Sequence, residues 1–361
     1  MPMPELEPPE SRLPPTRSAG LIRDPALDAA WLGAQGGHRA IWTPDHPAYP
    51  ARWRDLHQPP QALWVQGQGV GHWQDDRAWR APALAIVGSR NPTPQGLVHA
   101  REMARSLQAL GVCIVSGLAL GIDGAAREGA LSQAGQAQMG FGTAPGLKTV
   151  AFVGTGVDRV YPRRHQALAH RVSEHGMLVS EYPLGSPAFA HHFPQRNRLI
   201  AASVDGVLVI EAAMGSGSLI TAYMALEMGK EVFAVPGSIH SPLSKGCHAL
   251  LRQGATLVEG LTDVLEVLLP GAWSGLAAGA AAASAQSAAS PEASAAPLPA
   301  DDPLGLKALL QTPTSLDALA HATGAEPAAL LSHLLDGQLQ GWITETPDGR
   351  YVCLHPHLPR P

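Results

Sequence analysis

Short apolar runs alternate with longer segments of helical periodicity between residues 84 and 260, and this alternation constrains the fold more than any other feature of the sequence. Several runs are apolar throughout, as strands covered by helices on both faces are. The runs are LAIVG, VCIVSG, TVAFVG, GMLVSE, GVLVIEA, EVFAVPG and ATLVEG. The helical segments between them are Gln95–Leu110, Ile122–Ala134, His165–Glu174, Gln195–Ser203 and Ser218–Met228. The pattern predicts an α/β fold with a doubly wound, mostly parallel sheet, because these segments are long enough for right-handed crossovers.

Changes in composition divide the rest of the chain. The polar, Pro-rich residues 1–20 predict a disordered tail, and residues 21–75 lead into the α/β domain at 76–268. Residues 269–302 predict a linker, because 14 of the 32 residues from 271 to 302 are alanine and the rest offer little to pack. Within the α/β domain, the Gly- and Ala-rich residues 132–148 predict a mobile loop.

Residues 303–361 predict a second, small domain. Three short helical segments are followed by GWITET, the turn PDG and RYVCL, an order typical of a winged helix. From 301 to 361 the chain has seven acidic residues against three basic ones, a net charge of -4. A surface that neutralises phosphates needs the opposite sign, so we expect this domain to contact protein rather than duplex DNA.

Composition also limits the class of protein. The formal net charge of -5 excludes a surface that is basic all over, so any anion site must be local. The three cysteines, Cys113, Cys247 and Cys353, are far apart and form no CxxC pair, which favours the reducing cytoplasm over an extracellular disulfide framework. No strongly apolar run is as long as the roughly 18 residues that a membrane span needs, so we expect a soluble protein.

Residues suited to phosphate follow several of the predicted strands. The carboxyl ends of parallel strands meet at one edge of an open α/β sheet, where ligands bind. Backbone N–H groups at glycine- and serine-rich turns and arginine side chains are donors that phosphate prefers. The candidate residues in these segments are Gly88, Ser89, Arg90, Arg196, Asn197, Arg198, Ser216, Gly217, Ser218, Thr221 and Lys245, with Phe193 as a candidate base-stacking ring.

Arg196 and Arg198 are expected to have different roles. Side chains two residues apart on a helix point in substantially different directions. We expect one arginine to face the ligand and the other to form a structural ion pair with Glu211, which ends the strand VLVIEA. Asp123, near the start of a predicted helix, is more simply a helix cap than a ligand residue.

The sequence lacks the patterns of catalysis and of common cofactors. GTGVDR has Arg159 where a nicotinamide-binding motif needs its third glycine, and GxxxxGK[ST] and GxSxG patterns are absent. The pair His191–His192 has no third ligand at metal-like spacing, so no metal is assigned. We therefore predict a binding protein without a cofactor rather than an enzyme.

Six segments together resemble the DNA-processing protein A (DprA/Smf) family. They are IVGSRNPTPQG, SGLALGID, GTGVDRVYP, SEYPLGSP with FPQRNRLIA, VIEAAMGSGSLITA, and VFAVPGS with GCHALLRQGA, and the resemblance spans roughly residues 45–265. It implies an extended Rossmann-like domain that binds single-stranded DNA. The DNA-binding residues that it implies are Ser89, Arg90, Arg196, Asn197, Arg198, Ser216, Gly217, Ser218 and Lys245. It also implies a homodimer that loads RecA recombinase during natural transformation. Relatives often have a helical domain before the Rossmann part, which we expect to be reduced here.

Two other functions are consistent with the same residues. One is a nucleoside-monophosphate phosphoribohydrolase, although its PGGxGTxxE signature is absent. The other is a nucleotide-sensing regulator with a winged-helix output. Release of free base from a nucleoside monophosphate would favour the enzyme, and saturable binding of a mononucleotide with oligo(dT) ignored would favour the regulator.

Overall fold

The computed structural model describes residues 23–34, 38–68, 70, 82–132, 149–270, 305–312, 314–325, 330, 333–334, 343–345 and 350–353. The chain forms two compact units that divide between residues 278 and 279, inside the predicted linker. The predicted tail at 1–20, nearly all of the loop at 132–148 and nearly all of the linker at 269–302 lie outside the described residues.

The first unit is built on a nine-stranded sheet. Its strands are β1 (Arg39–Trp42), β2 (Leu63–Gln66), β3 (Ala83–Gly88), β4 (Cys113–Ser116), β5 (Thr149–Phe152), β6 (Met177–Ser180), β7 (Gly206–Ile210), β8 (Glu231–Ala234) and β9 (Thr256–Leu257). The spatial order is β1-β2-β6-β5-β4-β3-β7-β8-β9. The strands from β3 to β9 pair in parallel, which confirms the predicted sheet.

Helices cover both faces of this sheet. They are α1 (Pro25–Gly33), α2 (Pro94–Ala109), α3 (Ile122–Ser132), α4 (Gln166–His175), α5 (His192–Ser203), α6 (Gly217–Glu227), α7 (Lys245–Arg252) and α8 (Leu261–Leu268). Apolar residues of α5, α6 and α7 pack on one face, whereas those of α1, α2, α3, α4 and α8 pack on the other. This arrangement confirms the doubly wound α/β fold.

The lead-in segment contributes two strands that the sequence did not predict. β1 and β2 pair antiparallel with each other, and β2 pairs antiparallel with β6. Between them Trp53 is completely buried, with its ring centroid 5.6 Å from that of Phe152. The carboxylate of Asp28 in α1 accepts a hydrogen bond of 2.7 Å from the indole N–H of Trp64. The segment is therefore an integral part of the sheet and its cores.

The second unit contains short helices followed by a hairpin, in the predicted order. Its helices are α9 (Leu306–Leu309) and α10 (Leu316–Thr323), and its strands β10 (Ile343–Glu345) and β11 (Tyr351–Cys353) pair antiparallel. Its buried cluster is formed by Leu306, Leu310, Leu319, Leu330, Leu334, Ile343, Tyr351 and Cys353. Across the described residues of both units, no helix has the length and apolar character needed to cross a bilayer.

Candidate nucleic-acid interface

The strand order reverses between β3 and β7, and a groove opens there. From β3 the chain winds outward through β4, β5 and β6, whereas β8 and β9 lie on the other side of β7. Loops that leave adjacent strands in opposite directions leave a crevice at the carboxyl edge of the sheet, the usual ligand position in this class of fold. The groove there has a volume of about 400 Å³.

Three separate predicted segments meet in this groove. They are the loop after β3, the first half of α5, and the turn that begins α6. The predicted residues that line it are Gly88, Ser89, Arg90, Phe193, Arg196, Asn197, Ser216, Gly217, Ser218 and Thr221. The predicted convergence of these segments is confirmed, while their contacts to DNA remain predictions.

The loop that carries Arg90 is fixed through its backbone. The N–H of Ser89 donates to the carbonyl of Glu211 at 2.6 Å, and the carbonyl of Ser89 accepts from the N–H of Ile122 at 3.1 Å. Gly121 has a φ of +77°, and a Cβ there would lie 2.3 Å from the carbonyl oxygen of Ser89. Only glycine combines this conformation with so close an approach.

Arg90 is a free cation at the mouth of the groove. Its side chain is exposed, and within the described part of the chain it forms no hydrogen bond or ion pair. Its guanidinium carbon lies 5.9 Å from the centroid of the Phe193 ring, within the range of a cation–π interaction. An unpaired guanidinium on a fixed loop is well suited to bind a phosphate in two-pronged geometry.

Arg196 is buried beneath the groove. It is 4% exposed, and its Nη1 donates to the carbonyl of Gly117 at 2.7 Å and to that of Phe152. Burial lowers the pKa of its guanidinium to about 10, against the opposing effect of the Asp123 carboxylate. A Cβ at Gly117 would lie 2.5 Å from Nη2 of Arg196, so the glycine makes room for this side chain. Arg196 thus ties together the ends of β4 and β5, and its charge acts on the groove from below.

Buried charged side chains interact with one another next to the groove. Buried Asp123 interacts electrostatically with the guanidinium groups of Arg196 and Arg127, and Arg127 is completely buried. Arg127 donates to the carbonyls of Ser116 and Val150 and to the Thr149 hydroxyl. Of these three charged side chains, Asp123 and Arg196 line the groove, whereas Arg127 does not.

Asp123 has a different role from the predicted helix cap. Its Oδ2 accepts from the N–H of Gly117 at 2.9 Å, in the loop before α3 rather than in the first turn of that helix. Burial raises the pKa of this carboxyl, and the Gly117 hydrogen bond and Arg196 oppose the shift. The cap prediction is wrong because the chain folds back between β4 and α3 and brings these loop amides within reach.

The predicted ion pair between Glu211 and one of the two arginines is also wrong, because Glu211 has a different partner. The Glu211 carboxylate accepts from the backbone N–H of Thr93 at 2.8 Å and from the Thr93 hydroxyl. Thr93 in turn caps α2 by accepting from the N–H of Gly96. Glu211 has a φ of +53°, and this turn at the end of β7 directs its carboxylate to the start of α2, where the helix dipole favours a negative charge.

Arg198 and Lys245 lie away from the groove, contrary to prediction. Arg198 forms a largely buried ion pair with Glu181, in which burial raises the pKa of the Glu181 carboxyl and Arg198 opposes the shift. It lies about 200° around the helix from Arg196, given roughly 100° per residue. The Nζ of Lys245 donates to the carbonyl of Ile239, and neither side chain is among those lining the groove. The structure therefore does not place either residue in the groove.

Serine hydroxyls and backbone amides at the start of α6 form another wall of the groove. Ser216 caps α6 by accepting from the N–H of Ser218 at 3.4 Å, and the two hydroxyls are 2.7 Å apart. The side-chain amide of Asn197 donates to the carbonyl of Gly217 at 3.4 Å. The amino end of α6, with the partial positive charge of its dipole, thus lines the groove and favours an anion.

Gly154 leaves space for the Phe193 ring at the edge of the groove. A Cβ at Gly154 would lie 3.0 Å from the Phe193 ring. The first glycine of GTG, which could suggest a dinucleotide motif, therefore provides space for this ring. The guanidinium carbon of Arg196 lies 6.0 Å from the ring centroid, so two arginines interact with the same ring.

Cations that sequence reasoning missed lie in the loop after β5. Arg159, Arg163 and Arg164 are exposed, and no ion pair forms at any of them within the described residues. The nearby carboxylate of Asp158 accepts from the N–H of Gly185 instead. These arginines belong to the segment DRVYPRRH, whose three arginines could have indicated a basic surface. We compared this segment only with a dinucleotide-binding motif. Buried Arg127 gave no comparable signal, because one arginine in a helix is usually solvated.

The fold and the groove define a doubly wound α/β protein with an anion-binding crevice at its topological switch point. Two family models match the chain: DNA recombination-mediator protein A over residues 40–269, and the DprA winged helix domain over residues 289–349. The chain belongs to the DNA recombination-mediator protein A family, and its C-terminal unit is a winged helix.

Individual relatives agree with this assignment. Protein Smf of Escherichia coli (strain K12) is 38% identical over 330 residues, which are 90% of this chain and 79% of the relative. DNA processing protein DprA of Streptococcus pneumoniae (strain ATCC BAA-255 / R6) is 44% identical over 184 residues, which are 51% of this chain and 61% of the relative.

Two solved structures are also similar. DNA processing protein A from Streptococcus pneumoniae aligns with a TM-score of 0.55 and 36% identity, covering 68% of this chain and 82% of that one. DNA processing protein A from Helicobacter pylori, whose structure is described as giving insight into a single-stranded DNA binding mode, aligns with a TM-score of 0.53 and 29% identity. That alignment covers 65% of this chain and 98% of the Helicobacter chain.

Proposed function

We propose that this chain binds single-stranded DNA in the groove, as a mediator without a catalytic step. The observation that carries the proposal is the convergence of unpaired Arg90, the buried charge of Arg196 and the start of α6 on one crevice. These groups recognise phosphate and a ring face, features that every nucleotide presents, so little sequence preference is expected. The single-stranded DNA named for the Helicobacter pylori relative supports the same ligand.

The ligand is tested by comparing three classes of nucleic acid. Fluorescence anisotropy is measured with labelled oligo(dT), with a duplex of the same length, and with thymidine monophosphate as competitor. Oligo(dT) is expected to bind most tightly, because only a flexible strand can place both phosphate and base in the groove. Equal binding of duplex, or displacement of oligo(dT) by stoichiometric mononucleotide, would contradict the proposal.

The proposed partner is RecA, as the family resemblance implies. In this account the protein is a cytoplasmic homodimer that protects incoming DNA and loads RecA onto it during natural transformation. The test is RecA ATP hydrolysis on DNA already covered by single-strand-binding protein. We expect the protein to shorten the lag before hydrolysis, and an unchanged lag would reject loading while leaving DNA binding intact. Sedimentation equilibrium tests the dimer separately.

A further inference from the structure

One tyrosine ring and one phenylalanine ring are exposed in the described part of the chain, and both lie beside the start of α5. Tyr161 is 51% exposed and Phe189 is 41% exposed. The other described tryptophan, tyrosine and phenylalanine side chains are buried or half-buried. Exposed rings leave apolar surface in water, and when they border a ligand groove they indicate a contact surface.

Tyr161 extends the ring surface of the groove outward. Its ring centroid is 5.4 Å from that of Phe193, and the two planes are inclined by 41°. Its neighbours in the chain are the exposed arginines Arg159, Arg163 and Arg164. A base that leaves the groove past Phe193 therefore meets a second ring whose surroundings attract phosphate.

Phe189 forms a separate surface with His191. The two rings are nearly parallel, with centroids 5.6 Å apart and an interplanar angle of 13°. Phe189 also meets the edge of His192 at 5.1 Å, and His192 directly precedes Phe193 in α5. His192 is itself fixed, stacked on Tyr182 at 3.7 Å with its Nδ1 3.0 Å from the carbonyl oxygen of Gly154. The exposed pair thus rests on a rigid base next to the groove.

We propose that Tyr161 and the Phe189–His191 pair are outer stacking platforms for bases of a single strand that extends beyond the groove. The inference rests on the proposed function and extends the binding site by at least one nucleotide at each platform. Single-stranded DNA is the ligand favoured at Tyr161, because three exposed arginines lie within three residues of it in the chain and such cations attract phosphate. Aromatic rings interleaved with cations are typical of sites that bind single strands of any sequence.

The first test varies oligonucleotide length. Tyr161→Ala and Phe189→Ala are compared with wild type on oligo(dT) of about 4 and about 16 nucleotides, the range of single-strand site sizes. We expect each variant to weaken binding of the longer strand about 5- to 150-fold, the range for losing one base–aromatic stack. Binding of the shorter strand, which the groove holds by itself, should change much less. Tyr161→Phe retains the ring and should bind like wild type.

The second test separates base stacking from effects on structure or charge. A long oligonucleotide with abasic sites at each position in turn retains its phosphates and loses one base. If Tyr161 stacks on a base, Tyr161→Ala has no further effect on the strand that lacks that base. Val267→Ala, which also removes an exposed apolar side chain and lies on α8, is the matched control, and thermal melting verifies that each variant is folded.

The outcomes distinguish this inference from the proposed function. If wild type binds neither oligonucleotide, the proposed function fails and the platforms fail with it. If Arg90→Ala weakens both lengths while folded Tyr161→Ala and Phe189→Ala bind the long strand like wild type, only the platforms are rejected. Equal effects of Tyr161→Ala on intact and abasic strands would likewise reject base stacking.

Discussion

At the scale of single residues, the two arginines of FPQRNR show what a helical pattern can and cannot predict. Their spacing predicts that Arg196 and Arg198 face different directions, and the structure confirms this. The partners were wrong: Arg198 pairs with Glu181 at the end of the preceding strand, and Glu211 accepts from Thr93, which is 118 residues away in the chain. Local spacing determines direction, whereas the partner depends on which strands become neighbours in the sheet.

The burial of Arg196 predicts that its removal, unlike removal of Arg90, lowers the stability of the fold. Arg196→Ala removes a charged donor from two buried carbonyl groups, so we expect the free energy of unfolding to fall by about 1.5 to 3 kcal/mol. Urea unfolding measures the change. Arg105→Ala, an exposed arginine on α2, is the matched control and should stay within about 0.5 kcal/mol of wild type. A loss no larger than that of the control would show that the hydrogen bonds of Arg196 to Gly117 and Phe152 do not stabilise the fold.

His192 predicts a loss of stability in mild acid. Burial lowers the pKa of its imidazole, so the folded protein resists a proton that the unfolded chain accepts. Stability therefore falls as the pH decreases below about 6.5, the ordinary histidine pKa. Urea unfolding at several pH values should show a smaller decrease for His192→Gln than for wild type. Part of the decrease should remain, because burial also lowers the pKa of His46. An identical pH dependence in the variant would contradict this role.

At the scale of elements, apolar runs located the seven parallel strands, and helical periodicity located five of the helices to within three residues. The strands β1 and β2 were missed, because RAIW and LWVQ are short and lie among prolines, without the flanking crossover helices that identify parallel strands. The convergence of the loops that form the groove was predictable, because parallel strands bring their carboxyl ends to one edge of the sheet. The buried charges beneath it were not, because they depend on loops that fold back between strands and helices.

The close approach of Gly121 to the Ser89 carbonyl predicts that this contact controls the position of Arg90. Gly121→Ala combines a left-handed conformation with a Cβ 2.3 Å from the Ser89 carbonyl oxygen. Gly254→Ala, at a φ of +97° with open space around it, has the conformational strain alone, about 1 kcal/mol. We expect Gly121→Ala to lose more stability than this control and to weaken oligo(dT) binding, which the control should leave unchanged. Calorimetry and anisotropy measure the two effects, and equal behaviour of both variants would contradict the predicted contact.

At the scale of the whole molecule, the basic groove and the acidic winged helix belong to two separate units. The chain has a net charge of -5, of which -4 lies between residues 301 and 361. The remaining part is therefore nearly neutral, and attraction of DNA must come from local groups in the groove rather than from the overall field. The family model identifies the second unit as a winged helix.

Removal of the winged helix is predicted to leave the DNA site intact. Deletion of residues 301–361 should change oligo(dT) affinity very little, because the groove is formed by residues of the first unit. Anisotropy with the truncated and full-length chains measures this. A large loss of affinity would mean that the winged helix binds DNA in spite of its acidic charge.

The central claim is that the loop carrying Arg90 forms one phosphate-binding groove with α5 and α6. The most direct measurement is the affinity of folded Arg90→Ala for oligo(dT) over a series of salt concentrations, beside wild type and Arg105→Ala. We predict that Arg90→Ala weakens binding by about 1 to 3 kcal/mol and reduces the slope of log affinity against log salt by about 0.7, the loss of one phosphate contact. Affinity and slope equal to those of wild type would contradict the claim.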